Sequence, residues 1–161
     1  MTRAHTIRTA ALAGLVGCAV ALCGAATAAA QPSAAPGIVV RDAWVRETTA
    51  LRTASAGYMT IENRTAREIT VVGVTIAGAK RAELHRVVQA DGQGGMAAVA
   101  SLRIPPHSSV TLEPGGTHVM IFDVAPPFVR GRSVAVTLTL GDRRAHTVAA
   151  VVRPLSAMSA R

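Results

Sequence analysis

From Ile38 to Val152 apolar and polar positions alternate in short runs rich in Val, Ile and Thr, with turn residues between the runs. A two-residue period marks strands that bury one face, because successive side chains of a strand point to opposite sides. It predicts nine strands: 38–46, 55–62, 68–76, 82–88, 96–102, 109–112, 118–124, 133–140 and 144–152. Asn63-Arg64, Ala77-Gly78, Asp91-Gly92, Pro105-Pro106, Pro114-Gly115-Gly116, Pro126-Pro127 and Gly141-Asp142 punctuate them. No segment beyond residue 30 sustains a helical period over three turns. The expectation is an all-β single domain, a β-sandwich or barrel. In 133–140, Val134, Val136, Leu138 and Leu140 alternate with Ala135, Thr137 and Thr139, so the Val/Leu face is the inward one.

The first thirty residues follow a different rule. A basic start (Arg3, Arg8) leads into an apolar run to about Leu22 and then into Gly24-Ala25-Ala26-Thr27-Ala28-Ala29-Ala30. That is the layout of a secretory signal peptide over 1–30, with cleavage near Ala28 or Ala30. Leu15-Val16-Gly17-Cys18 offers an alternative, a lipobox in which Cys18 carries lipid, although the residues after it stay apolar where a lipoprotein turns polar. Residues 31–37 read as a flexible leader, 38–154 as the domain and 155–161 as a tail. Both cysteines, Cys18 and Cys23, lie in the first segment. A domain cleaved near Ala30 has no thiol for a disulfide, a thiolate metal site or a cysteine nucleophile. The expected location is periplasmic or secreted, and lipid-anchored on the outer membrane face if Cys18 is modified.

The remaining chemistry lies between Glu83 and Met120. His85 sits in an alternating run, Met96 closes the polar, glycine-rich stretch Asp91–Met96, and His118-Val119-Met120 puts an imidazole and a thioether on one strand face. Taken singly, such residues read as core filler or as exposed side chains. Yet the chain has only five Met, one of them the initiator, and two stand at metal-compatible spacing among His. If the stretch carrying Met96 folds back, two imidazoles and two thioethers meet, a soft, uncharged donor set that suits Cu(I). Met96, next to a turn with three glycines, is expected to be the most mobile of the four. His107 and His146 have no soft partner nearby and read as exposed or structural. Met59 reads as core, and Trp44 as a packing anchor.

The spacing His85, ten residues, Met96, twenty-one residues, His118-x-Met120 resembles the copper-ligand motif of the PCuAC-type periplasmic copper chaperone family. Ala43-Trp44-Val45-Arg46, Gly57-Tyr58-Met59-Thr60-Ile61-Glu62-Asn63, Glu83-Leu84-His85 and Pro114-Gly115-Gly116-Thr117-His118-Val119-Met120 resemble it as well. The resemblance spans Ile38 to Val152 and implies a cupredoxin-like fold, with His85, Met96, His118 and Met120 as copper ligands. It also implies a copper-acceptor protein as partner, an oxidase copper subunit or a Sco-type protein. Members often carry extra Met close after the first His, where this chain has Arg86, Val87 and Val88, and the tail lacks a His- and Met-rich extension.

Charge narrows the alternatives. Losing Arg3 and Arg8 takes the formal balance from +8 to +6, and the basic residues are scattered Arg with Lys80 the only lysine. A nucleic-acid surface calls for a basic stripe with stacking aromatics, which this pattern lacks, so the charge fits an acidic partner surface or anionic headgroups. No G-x-S-x-G elbow, phosphate-cradling loop or close carboxylate pair points to an enzyme. A blue-copper carrier needs a Cys thiolate that the mature domain does not have. Two classes remain: a monomeric exported chaperone for one Cu(I), and a metal-free secreted β-sandwich for envelope scaffolding or adhesion.

Overall fold

A computed structural model of the chain describes residues 35–90, 93–154 and 156. The expectations for the signal segment, the lipobox and most of the leader and tail lie outside the described residues. Ten strands fill the domain: β1 (Ile38–Arg46), β2 (Ser55–Asn63), β3 (Ile69–Ile76), β4 (Ala79–Ala90), β5 (Gln93–Ala98), β6 (Leu102–Ile104), β7 (Ser108–Leu112), β8 (Thr117–Val124), β9 (Ser133–Leu140) and β10 (Ala145–Arg153). They form one sheet in the order β5-β4-β8-β2-β1-β10-β9-β3-β6, with β7 also paired to β2. Only β1 and β10 run parallel among these pairs; the others are antiparallel. The sheet closes over a single core in which Leu84, Val119 and Ile121 from one end meet Val71, Val74, Val136 and Leu138 from the other. This is the cupredoxin-like architecture that the resemblance implies.

The sequence rule places most strands directly, and β1 and β9 have the predicted bounds. The predicted strand 96–102 is in fact two. Its first half pairs with β4 as β5, and Leu102 opens β6, which pairs with β3. Ser101 is the one turn-forming residue between β5 and β6, and alone it does not mark the chain's change of partner. Between β3 and β4 the turn is tight, and Gly78 takes the left-handed conformation, φ +83, that a side chain would oppose.

One irregularity orients the region of interest. In β1 the register slips between Arg41 and Trp44, with Asp42 at φ 52. Two residues then stand opposite one on β2, a bulge that reverses which positions face inward. Ile38 and Val40 point to the core before it and Val45 after it, so Trp44 is turned to the outer face. There it joins Ala56 and Tyr58 in a second small cluster. Trp44 is thus a packing residue, as expected, but outside the main core.

Two buried polar groups stitch the domain. Asn63, fully buried, sets its Nδ2 within 3.0 Å of the carbonyls of Arg67, Ile104 and Pro105, and its Oδ1 accepts from the Thr65 N–H and hydroxyl. His146, 4% exposed, accepts the Ala35 N–H at Nδ1, 3.0 Å away. Of the two expectations for His146, structural is the right one; His107 is exposed at φ 51.

Burial holds the His146 imidazole below its usual range, and the bond to Ala35 needs the neutral ring. As pH falls, the unfolded chain therefore takes up this proton first. Its stabilising effect is complete above about pH 6.5, the ordinary histidine value, and is lost as pH drops from there to the depressed folded value. Thermal midpoints measured from pH 7.5 to 5 are expected to decline, and His146→Asn, which keeps an acceptor but takes up no proton, should flatten part of that decline.

Candidate metal centre

The register of three strands builds the centre. β4 pairs with β8 so that His85 stands opposite His118, Glu83 opposite Met120 and Arg81 opposite Phe122. On its other edge β4 pairs with β5, setting Val87 opposite Met96 and His85 opposite Ala98. Opposed residues share a sheet face, as do residues two apart in one strand. His85, Met96, His118 and Met120 therefore share one face of β5, β4 and β8. Leu84, Val119 and Ile121, which alternate with them, point into the core, so this is the outer face. Met96 lies one diagonal step from His85, within the reach of a long unbranched side chain.

The two imidazoles face each other with ring centroids 6.4 Å apart and planes at 40°. Each ring has one nitrogen engaged by a different device. His118, 6% exposed, donates from Nδ1 to the Gly116 carbonyl at 3.0 Å, which leaves the lone pair of its neutral ring on Nε2. The turn before β8 fixes that carbonyl: Gly115 sits at φ +80, the Glu113 N–H reaches the Thr117 carbonyl, and the Val87 N–H of β4 also donates to Gly116. His85 engages Glu83 instead, Nε2 to Oε2 at 3.0 Å, while its Nδ1 is buried without a hydrogen-bond partner. Histidine that ligates metal through one nitrogen and holds an acceptor with the other is the usual arrangement.

Aromatic rings flank this pair. Tyr58 lies 6.3 Å from His118 and stacks on Trp44 at 4.3 Å, with the Arg153 guanidinium 5.4 Å over the indole. Burial raises the Tyr58 phenol above its ordinary pKa, keeping it a neutral neighbour. On the other side Phe122 lies 6.3 Å from His85, with the Arg81 guanidinium 4.1 Å over its ring. Arg81 also donates to Glu83 at 2.8 Å. The His85 hydrogen bond, aided by Arg81, holds the Glu83 carboxyl below the usual carboxylate range.

Met96, expected to open a strand after a glycine-rich turn, does lie in a strand, but Gly94 and Gly95 belong to β5 as well; at this sheet edge it is 58% exposed. Met120 is partly buried, and Met59, 2% exposed, belongs to the main core. Among the described residues no three His, Cys, Asp or Glu side chains gather in a metal-binding group. The soft donors that share this face with the two imidazoles are the thioethers of Met96 and Met120, and a buried lone pair on His85 fits an ion better than it fits apolar packing. Glu83, Arg81, Phe122 and Tyr58 escape a search confined to ligand spacing. The one local signal for Glu83 is its position two residues before His85 on a strand.

Comparison with known proteins agrees with this frame. Residues 38–152 match the LpqE-like family, described as "Putative lipoprotein LpqE-like". "Putative lipoprotein Lxx21020" of Leifsonia xyli subsp. xyli (strain CTCB07) is 35% identical over 157 residues, covering 97% of this chain and 92% of that one. The copper-bound PCuAC domain from PmoF2 shares the fold, with TM-score 0.64 and 24% identity over 77% of this chain and 98% of its own. The Cu(I)-bound DR1885 of Deinococcus radiodurans is 32% identical, with TM-score 0.60, over 80% of this chain and 85% of its own. The resemblance to PCuAC domains thus holds in three dimensions. With a family match over nearly all the described residues and a relative alike along almost its whole length, the chain belongs to the LpqE-like family.

Proposed function

We propose that this protein is an exported copper chaperone that binds one Cu(I) through His85, Met96, His118 and Met120 and hands it to an acceptor protein. The observation that carries the reading is the strand register, which puts His85 directly opposite His118 and sets both methionines on the same outer face. Neutral imidazoles and thioethers stabilise the soft cuprous ion and leave it exchangeable toward a thiolate-rich acceptor. Similarity to Cu(I)-bound DR1885 supports the same cargo. The chain acts as a carrier and not as a catalyst. Its recipient is a respiratory oxidase copper centre or a Sco-type protein that serves one.

Competition against a Cu(I)-specific chromophoric chelator under reducing conditions tests the cargo: a one-to-one complex is expected, with much weaker Cu(II) uptake. No complex at all would leave the metal-free envelope sandwich as the better reading. The lipoprotein descriptions of the family and of the Leifsonia relative favour attachment through Cys18 over release near Ala30. In that form residues 19–37 tether the domain to the outer face of the membrane. Intact mass of the exported protein decides the point, because a diacylated amino-terminal Cys18 and a free chain starting near Ala29 or Gln31 differ by far more than the measurement error.

A further inference from the structure

We propose that Glu83 is a positioning residue for the metal: its carboxylate holds the Nε2–H of His85, so the facing imidazoles offer opposite ring nitrogens, Nδ1 of His85 and Nε2 of His118. The inference rests on the copper reading above and adds to it the orientation of one ligand and the side chain that sets it.

Glu83 and His85 lie two apart on β4, on one face, and their bond is 3.0 Å long. The carboxylate is anchored from behind, since Arg81 takes its other oxygen at 2.8 Å and itself lies over the Phe122 ring. Turning the His85 ring to bind through Nε2 would forfeit that bond. It would also force the proton of the neutral ring onto Nδ1, which is buried with no acceptor in range. Binding through Nδ1 has neither defect. The buried Nδ1 gains an ion, and the Nε2–H keeps its carboxylate. His118 solves the same problem with the opposite nitrogen, because its Nδ1–H is committed to the Gly116 carbonyl. A carboxylate behind a ligating imidazole fixes its tautomer and makes it a better donor.

Long-range proton–nitrogen correlation spectra of the copper-free, ¹⁵N-labelled protein read the tautomers without any metal. Nε2–H is expected at His85 and Nδ1–H at His118. On adding Cu(I), the large nitrogen shifts should fall on His85 Nδ1 and His118 Nε2. Glu83→Ala should mix the His85 tautomers and weaken Cu(I) binding by about 10–100-fold, the usual loss for such a partner. Glu83→Gln, whose side-chain oxygen still accepts from Nε2–H, should restore the tautomer and recover most of the affinity. The thermal midpoint should change little in both variants, because Glu83 is only partly buried and lies on the outer face of β4. Cu(I) bound through His85 Nε2, or an Ala variant with unchanged tautomer and affinity, overturns the role of Glu83 alone. Absence of any Cu(I) complex in the parent protein overturns the copper reading and this inference together.

Discussion

Asn63→Ala should lower the unfolding free energy by about 2–3 kcal/mol, the upper part of the range for a buried hydrogen-bonding group that is removed. The side chain is fully buried, and its amide lies on the carbonyls of Arg67, Ile104 and Pro105 while its oxygen holds Thr65. Truncation removes all of these bonds at once; the Arg67 and Pro105 carbonyls keep the hydroxyls of Thr65 and Ser108, whereas the Thr65 N–H loses its acceptor. Asn63→Asp is a sharper probe. It keeps the acceptor for Thr65 but aims a carboxylate at three carbonyls, so burial and repulsion should raise its folded pKa well above the unfolded value. Its stability is then greatest at low pH and falls as pH rises through the folded pKa, opposite to the trend expected from His146. Denaturant unfolding at pH 5 and pH 8 separates the two signs. Asn63 ends β2 while Ala56 near its start borders the metal face, so copper affinity of the folded fraction should stay as in the parent. A Val72→Ala control, at a position 47% exposed, should cost about 0.5 kcal/mol or less.

The second large effect concerns the centre itself. His118→Ala should weaken Cu(I) binding by ~100-fold or more, since losing a ligand costs at least as much as losing its supporting partner. Met96→Leu should cost nearer ~10-fold, because an exposed thioether on an edge strand has to be drawn in from solvent and contributes a smaller share. The substitution removes sulfur and keeps volume, so stability should barely move. The order His118 before Met96, measured by chelator competition, is the point at issue. A Met96→Leu protein that binds like the parent removes β5 from the centre. Equal losses at both positions would mean that the edge strand is as preset as the β8 turn. Transfer to a thiol acceptor should also quicken in Met96→Leu, if losing the exposed sulfur is the first step of release.

How far the pattern of residues reveals this geometry depends on what each element answers to. β9 is legible to its ends, because Val134, Val136, Leu138 and Leu140 repeat every second residue and Gly131 and Gly141 bound them. β1 is legible in extent but not in orientation, because its bulge at Asp42 decides which way Trp44 turns, and no local composition announces it. The break between β5 and β6 answers only to the partners waiting for each half. The shared face of His118 and Met120 follows from their spacing alone. That His85 stands opposite His118 does not, because β4 and β8 are distant in sequence and their register is set by Leu84, Val119 and Ile121 settling in the core. Glu83 stands in a segment that carries the resemblance, but its role is not legible there: a carboxylate on a strand looks solvated until the ring beside it is seen to have one nitrogen covered and the other in need of a partner.

Under the proposed copper reading, the alternation along β4 and β8 also makes correct folding and the ability to take cargo a single event. Leu84 separates Glu83 from His85, and Val119 separates His118 from Met120. A slip of one residue in either strand would push an imidazole into the apolar interior and set Leu84 or Val119 in water. Such a molecule would lose the proposed ligands and its core in the same step, so a register error could not leave a folded carrier without its site. Proofreading of the proposed delivery function would thereby fall to the hydrophobic effect.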